Sequence, residues 1–157
     1  NKDGSIYTRN LGSAKQLDYY TAKQDGVIAW QPQFTFHGFR YVEISGYDPA
    51  FEPQLDWVKG IVQYTDFDLT GKFSTSNPQL NQLQSNIEWG LKGNFLDIPT
   101  DCPQRSERLG WTGDALAFAN TSLYIADSHA FWAAWMQSIR EEQFADHSIP
   151  VVVPNEV

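Results

Sequence analysis

The hydropathy pattern of this 157-residue chain changes period once, close to Ser74, and that change divides what it can fold into. Upstream, short runs rich in Tyr, Val, Ile, Thr and Phe at residues 17–20, 27–30, 34–36 and 41–44 are separated by Gly, Pro and Asp, which are strand signals. Downstream the period is helical. Asn77 and Pro78 read as N-cap and first-turn proline, and Leu80, Leu83, Ile87 and Leu91 then recur at spacings of three and four. Gly93 and Pro99 close that helix. A second helix is expected from near Asp114 to about Ala126, with Leu116, Ala119, Leu123 and Ala126 along one side. A third is expected from Ser128, with Phe131, Trp132, Trp135, Met136 and Ile139 as a wide apolar stripe. The apolar run at residues 151–153 reads as a loop leading to a further helix. The fold class is therefore α+β, with a boundary between Tyr64 and Asn77 that we set at 66/67.

Between the first two helices lies residues 97–115, DIPTDCPQRSERLGWTGDA, which hold Asp97, Asp101, Glu107 and Asp114 with Arg105, Arg108 and Trp111. Pro99 and Pro103 fix φ and lack a backbone donor, whereas Gly110 and Gly113 permit positive φ, so a shaped loop is expected rather than a long helix. Loops of that kind carry function more often than packing. Asp101 and Asp114 flank Glu107 closely enough for a folded loop to gather all three carboxylates. Mutual repulsion and desolvation then raise the pKa of at least one, which suits proton donation near neutrality. Glycoside cleavage needs such an acid, a second carboxylate for water or for the sugar, and polar and aromatic groups around the ring. Arg105 and Arg108 argue the other way, because a nearby cation favours the ionised carboxylate. A loop stapled by Arg–carboxylate pairs thus remains a structural alternative on spacing alone.

The run IPTDCPQRSERLGWTGDA resembles the signature of the bacterial α-L-rhamnosidases, glycoside hydrolase family 78, whose usual form has Asp at the position of Ser106. FTFHGFRYVEISG, residues 34–46, is similar to the stretch that closes the β-sandwich before that family's catalytic domain. GKFSTSNPQLNQLQSNIEWGLKGNFLDIP, residues 71–99, resembles the connecting segment. The resemblance covers nearly the whole chain.

It implies that residues 1–66 are the C-terminal part of a β-sandwich and residues 67–157 the opening helices of an (α/α)6 six-hairpin glycosidase domain. Three helices cannot close such a barrel, so the chain is expected to be an excerpt on which the remainder of the enzyme packs. The implied activity is inverting removal of terminal α-L-rhamnose from rhamnosides. Glu107 would be the general acid, Asp101, Arg105 and Asp114 would bind rhamnose hydroxyls, and Trp111 would line the sugar pocket. Ser106 removes a charge beside the acid and leaves the proton donor intact. Glu141, Glu142 and Glu156 lack a context resembling the family's general base, which is expected downstream. A six-hairpin glycosidase acting on another sugar, or a noncatalytic carbohydrate-binding module built on the β-rich part, are the competing readings.

The remaining signals are narrower. Nineteen acidic against 11 basic residues give a formal charge of −8, which disfavours a nucleic-acid partner and suits a neutral sugar. No run approaches the roughly 18 apolar residues of a membrane span, so no membrane partner is expected. His37, His129 and His147 lack zinc-site spacing, so neither metal nor cofactor is expected, and His37 reads as structural at the sandwich edge. The lone Cys102 excludes an intrachain disulfide and reads as a packing residue. It favours cytoplasm over secretion without fixing the compartment. Trp132 and Trp135, at helical spacing among apolar neighbours, read as core rather than as sugar platforms.

Overall fold

A computed structural model describes residues 1–156. The chain divides into two units, one formed by residues 1–61 with 104–106 and the other by residues 62–103 with 107 onward. The regular elements are mostly helical, with few strands.

In the first unit the regular elements are two single turns of 3-10 helix, Arg9–Leu11 and Leu55–Trp57. The runs at 17–20, 27–30, 34–36 and 41–44 form no strand, so the expected strands are absent among the described residues of this unit. A strand is completed by a neighbour that takes up its N–H and C=O groups, and β-propensity alone does not supply one. Many apolar side chains here, such as Val27 and Phe34, are fully exposed. Local contacts remain. Tyr20 packs on Trp30 at 5.3 Å between ring centroids, Tyr47 meets Trp57 edge-on at 5.5 Å, and His37 Nε2 lies 2.8 Å from Asp18 Oδ2. The backbone turn at residues 8–14 binds the 104–106 stretch: Ser106 donates its N–H to the Leu11 carbonyl, and Ser106 Oγ accepts from Ser13 N–H, both at 3.2 Å.

In the second unit α1 (Pro78–Asn94) starts where the local sequence directs it. Asn77 Oδ1 accepts the Gln79 N–H at 2.9 Å and Pro78 occupies the first turn, where its missing donor costs nothing. Asn81 reinforces the start by bonding both the N–H and the carbonyl of Thr75. Only the last part of its apolar stripe is covered: Leu91 is fully buried and Ile87 half-buried, whereas Leu80 and Leu83 are exposed. The helix runs through Gly93 and ends as Phe95 turns into a short hairpin, β1 (Phe95–Leu96) against β2 (Ile98–Pro99), with Asp97 at its apex.

The second and third helices, α2 (Thr112–Ile125) and α3 (His129–Glu141), begin within about two residues of the expected points. The buried face of α2 differs from the expected one. Ala115, Ser122 and Ile125 are buried with Phe118 beside them, while Leu116 and Leu123 face solvent. This helix is apolar nearly all round, so period alone does not select a side. The choice is made by a polar contact: buried Ser122 Oγ accepts the Trp132 Nε1–H at 2.7 Å, meets Ser128 Oγ at 3.1 Å, and donates to the Ala119 carbonyl at 2.7 Å. One hydroxyl donor and two acceptor lone pairs are thereby satisfied. On α3 the expected stripe is buried at Phe131, Trp135 and Ile139, with Met136 exposed.

Phe95 is the hub of the packing. Its ring stacks on Phe131 at 4.4 Å with 13° between planes, and meets Phe67, Phe118 and Trp132 edge-on. Leu91, Ile125 and Ala126 complete that cluster, and Trp132 joins it to a second one of Ala115, Trp135, Ile139 and Val153. Residues 68–71 lie along the end of α2 through Thr70 and Gly71 N–H bonds to the Ile125 carbonyl. A Cβ on Gly71 would stand 2.3 Å from the Tyr124 carbonyl, so the approach requires glycine. No helix among the described residues is long and apolar enough to cross a membrane.

Phe95→Ala empties the centre of one cluster and removes three edge-on contacts and one stack, so it is expected to cost about 3–5 kcal/mol of stability in urea denaturation. A loss below about 1 kcal/mol would show that the cluster is not the hub.

Candidate active site

The hairpin delivers the chain into the 100–111 loop, and that loop folds back on itself. Asp101 donates its N–H to the Leu109 carbonyl at 3.1 Å, and Asp101 Oδ1 accepts the Leu109 N–H at 2.8 Å, closing a ring of backbone around residues 101–109. Buried Cys102 accepts the Arg108 N–H at its Sγ, 3.4 Å away. Arg108 has φ of 56°, a left-handed conformation that costs a non-glycine residue roughly 1–2 kcal/mol. That turn aims the Arg108 and Leu109 N–H groups back at Cys102 and Asp101.

Glu107 is half-buried, and its Oε1 accepts the Trp111 Nε1–H at 3.0 Å. An indole N–H only donates, so Oε1 is the acceptor in this contact. Asp101, Cys102 and Glu107 bring their side-chain heteroatoms within 4.8 Å of one another. These three are also the group among the described residues with the donor types of a metal site. Each of them accepts a hydrogen bond from the loop or from Trp111.

Three converging carboxylates were expected, and two converge. Asp114 stands exposed in the first turn of α2, outside the Asp101–Glu107 cluster, where its charge favours the helix N-terminus. Arg105 and Ser106 are exposed and belong to the first unit through the 104–106 stretch. Of the glutamates weighed as a base, Glu141 accepts from Gln137 and Glu142 accepts the Asn155 N–H, while Glu156 is exposed.

The positive φ that Gly110 and Gly113 permit is not what shapes this loop. Neither has positive φ; the left-handed residues of this region are Asp97 and Arg108. Gly113 lies in the first turn of α2 with open space around it, and Gly110 is needed for close approach. A Cβ on Gly110 would stand 2.2 Å from the Val153 carbonyl and 3.3 Å from Trp135 Nε1. The 151–153 run is thus more than a connector: Val152 and Val153 are 0% exposed and Val152 bridges Trp111. Sequence reasoning missed Val153 and the buried donor of Trp135 as parts of this region, and it placed Gly110 here for backbone freedom rather than for close approach. The LGW triplet, with its glycine beside a residue singled out for function, was the available signal.

The comparisons with known proteins bear on both units. Residues 68–157 match the bacterial alpha-L-rhamnosidase 6 hairpin glycosidase domain, and residues 1–64 match the bacterial alpha-L-rhamnosidase concanavalin-like domain. An alpha-L-rhamnosidase of Formosa agariphila is 60% identical over 98% of the chain, which spans 16% of that relative's length. The crystal structure of the Streptomyces avermitilis alpha-L-rhamnosidase complexed with L-rhamnose aligns with a TM-score of 0.93 at 47% identity, over 98% of this chain and 15% of that one. That of the native Aspergillus terreus enzyme aligns at 0.90 and 46% identity, over 98% and 18% respectively. The chain thus carries a match to a concanavalin-like domain followed by a match to a six-hairpin glycosidase domain. It belongs to the bacterial α-L-rhamnosidase family.

The two glycines of the loop separate by substitution. Gly110→Ala is expected to destabilise by about 1–3 kcal/mol, because the neighbour it meets is backbone that must shift. Gly113→Ala, in open space within a helix, is expected to be neutral or to stabilise by up to about 1 kcal/mol. Thermal melts of both variants check this, and equal losses would contradict it.

Proposed function

We propose that this chain is the acid-bearing part of an inverting α-L-rhamnosidase that removes terminal rhamnose from rhamnosides. In that reading residues 1–66 are the C-terminal part of a β-sandwich, and residues 67–157 open an (α/α)6 barrel. The remainder of the enzyme packs on them. The apolar side chains left exposed at Val27, Phe34, Leu116 and Tyr124, and the 16% share of the relative's length, support it.

Glu107 is the general acid. Its proton passes to the glycosidic oxygen as the bond from that oxygen to the anomeric carbon breaks. A water attacks the carbon from the opposite face and gives its proton to a carboxylate base, leaving rhamnose of inverted configuration, the free aglycone alcohol and an ionised Glu107. The base lies outside these residues, since Glu141 and Glu142 are engaged elsewhere and Glu156 has no family context. Asp101, Arg105 and Asp114 bind rhamnose hydroxyls, and Trp111 offers an apolar wall. The roles of Arg105 and Asp114 rest on their places in the motif. The observation that carries the reading is the half-buried Glu107 carboxyl, hydrogen-bonded by Trp111 and within 4.8 Å of Asp101 in one hydrogen-bonded loop.

Glu107→Gln in the full-length protein carrying this chain is expected to lower kcat by about 10²-fold or more on rhamnosides with poor leaving groups. Aglycones that leave readily need little protonation and are expected to lose far less. Equal losses on both would remove Glu107 from the acid's role.

A further inference from the structure

Val152 and Val153 are completely buried in a run that belongs to neither helix nor strand, and buried backbone of that kind must find partners. It finds them on both sides of one residue. The Val151 carbonyl accepts from Thr112 N–H at 3.0 Å and from Thr112 Oγ1 at 3.1 Å. The Val153 N–H donates to the Gly110 carbonyl at 2.9 Å, and the Val153 carbonyl accepts the buried Trp135 Nε1–H at 3.1 Å. Between Gly110 and Thr112 sits Trp111, whose backbone bridges Val152 and whose indole holds Glu107 at 3.0 Å.

We propose that residues 151–153, anchored by Trp135, are a positioning clasp that fixes Trp111 and through it the direction of the Glu107 carboxyl. The inference rests on the reading of Glu107 as general acid. Trp135 touches neither Glu107 nor substrate in this scheme; it is a positioning residue acting through Val153, Gly110 and Trp111. Direction matters because a proton donor must stay within about 0.5 Å and 10–20° of its productive geometry. A side chain free to swing retains its acidity and loses its aim. The missing Cβ of Gly110 is the steric half of the device, since any side chain there would push the Val153 carbonyl off the Trp135 N–H. A purely structural role, anchoring the start of α2, would use the same bonds, and kinetics separate the two.

The test is Trp135→Phe in the full-length protein, which removes the indole donor and keeps an aromatic core residue. Activity is measured on rhamnosides with a graded series of aglycones. On poor leaving groups kcat is expected to fall about tenfold with KM within about twofold, since misplacement of a catalytic group by a fraction of an ångström acts on the chemical step. On nitrophenyl-type aglycones kcat is expected to change less than about twofold. A merely structural loss reduces the active fraction and lowers kcat equally across the series, and that outcome, or no change, overturns the proposal. If Trp135→Phe does not fold, Thr112→Val loosens the other edge of the clasp, with an expected loss of about threefold confined to poor leaving groups. An even or absent effect there also overturns it. Glu107→Gln runs in parallel: if it shows no leaving-group dependence the acid reading fails, and if only it shows one the clasp alone fails.

Discussion

The stacked pair of Phe95 and Phe131 is the contact from which the second unit is organised, because Phe95 is where α1 ends and the loop region begins. Its N–H closes the last turn of α1 on the Leu91 carbonyl, its own carbonyl accepts the Thr65 N–H, and its ring is gripped by side chains from residue 67, α2 and α3. A residue tied by both backbone and ring leaves its successor little freedom. The left-handed Asp97, with φ of 70°, then reverses the chain within the hairpin, and its N–H is held by Thr65 Oγ1 at 3.1 Å. The loop therefore departs from a fixed point.

Its far end is fixed as well, by different means. The second cluster of Ala115, Trp135, Ile139 and Val153 is apolar in its side chains, yet what reaches the loop is backbone: the Gly110 and Val153 bonds and the Trp135 donor. Trp132 joins the clusters and also selects the face of α2 through Ser122. The register of α2 sets where Trp111 sits, since Trp111 is the residue immediately before that helix. A chain of packing thus leads from the aromatic hub to the residue holding Glu107.

How much of this the sequence disclosed depends on the range of the forces involved. The start of α1 was legible because the Asn77 cap and Pro78 act within a few residues. The stripe of α3 was legible because a one-sided apolar pattern has one way to be buried. For α2 the pattern was apolar nearly all round, and a buried serine chosen by a tryptophan ten residues on is invisible to periodicity. The strand signals at 17–44 describe a propensity whose fulfilment depends on a partner strand, and the described residues of that unit provide none. In the loop, residue types pointed to Asp101, Glu107 and Trp111, which do cluster. Asp114 was grouped with them by sequence distance, but the helix that begins at Thr112 carries it to an exposed position.

The left-handed turn at Arg108 shows why that loop needs its particular composition. Turning the chain there opposes the local preference of a non-glycine residue, and relaxing it would send the Arg108 and Leu109 N–H groups away from Cys102 and Asp101. The thiol and carboxylate that receive them are therefore what keeps the turn in place. Asp101 has two tasks as a result: its Oδ1 closes the ring of residues 101–109, and its carboxylate stands beside Glu107. Removing that carboxylate would release the turn and the neighbouring charge together. A kinetic loss at Asp101 consequently mixes loop geometry with chemistry, whereas a change at Trp135 alters aim without removing a charge, which makes the more distant residue the cleaner probe of the site.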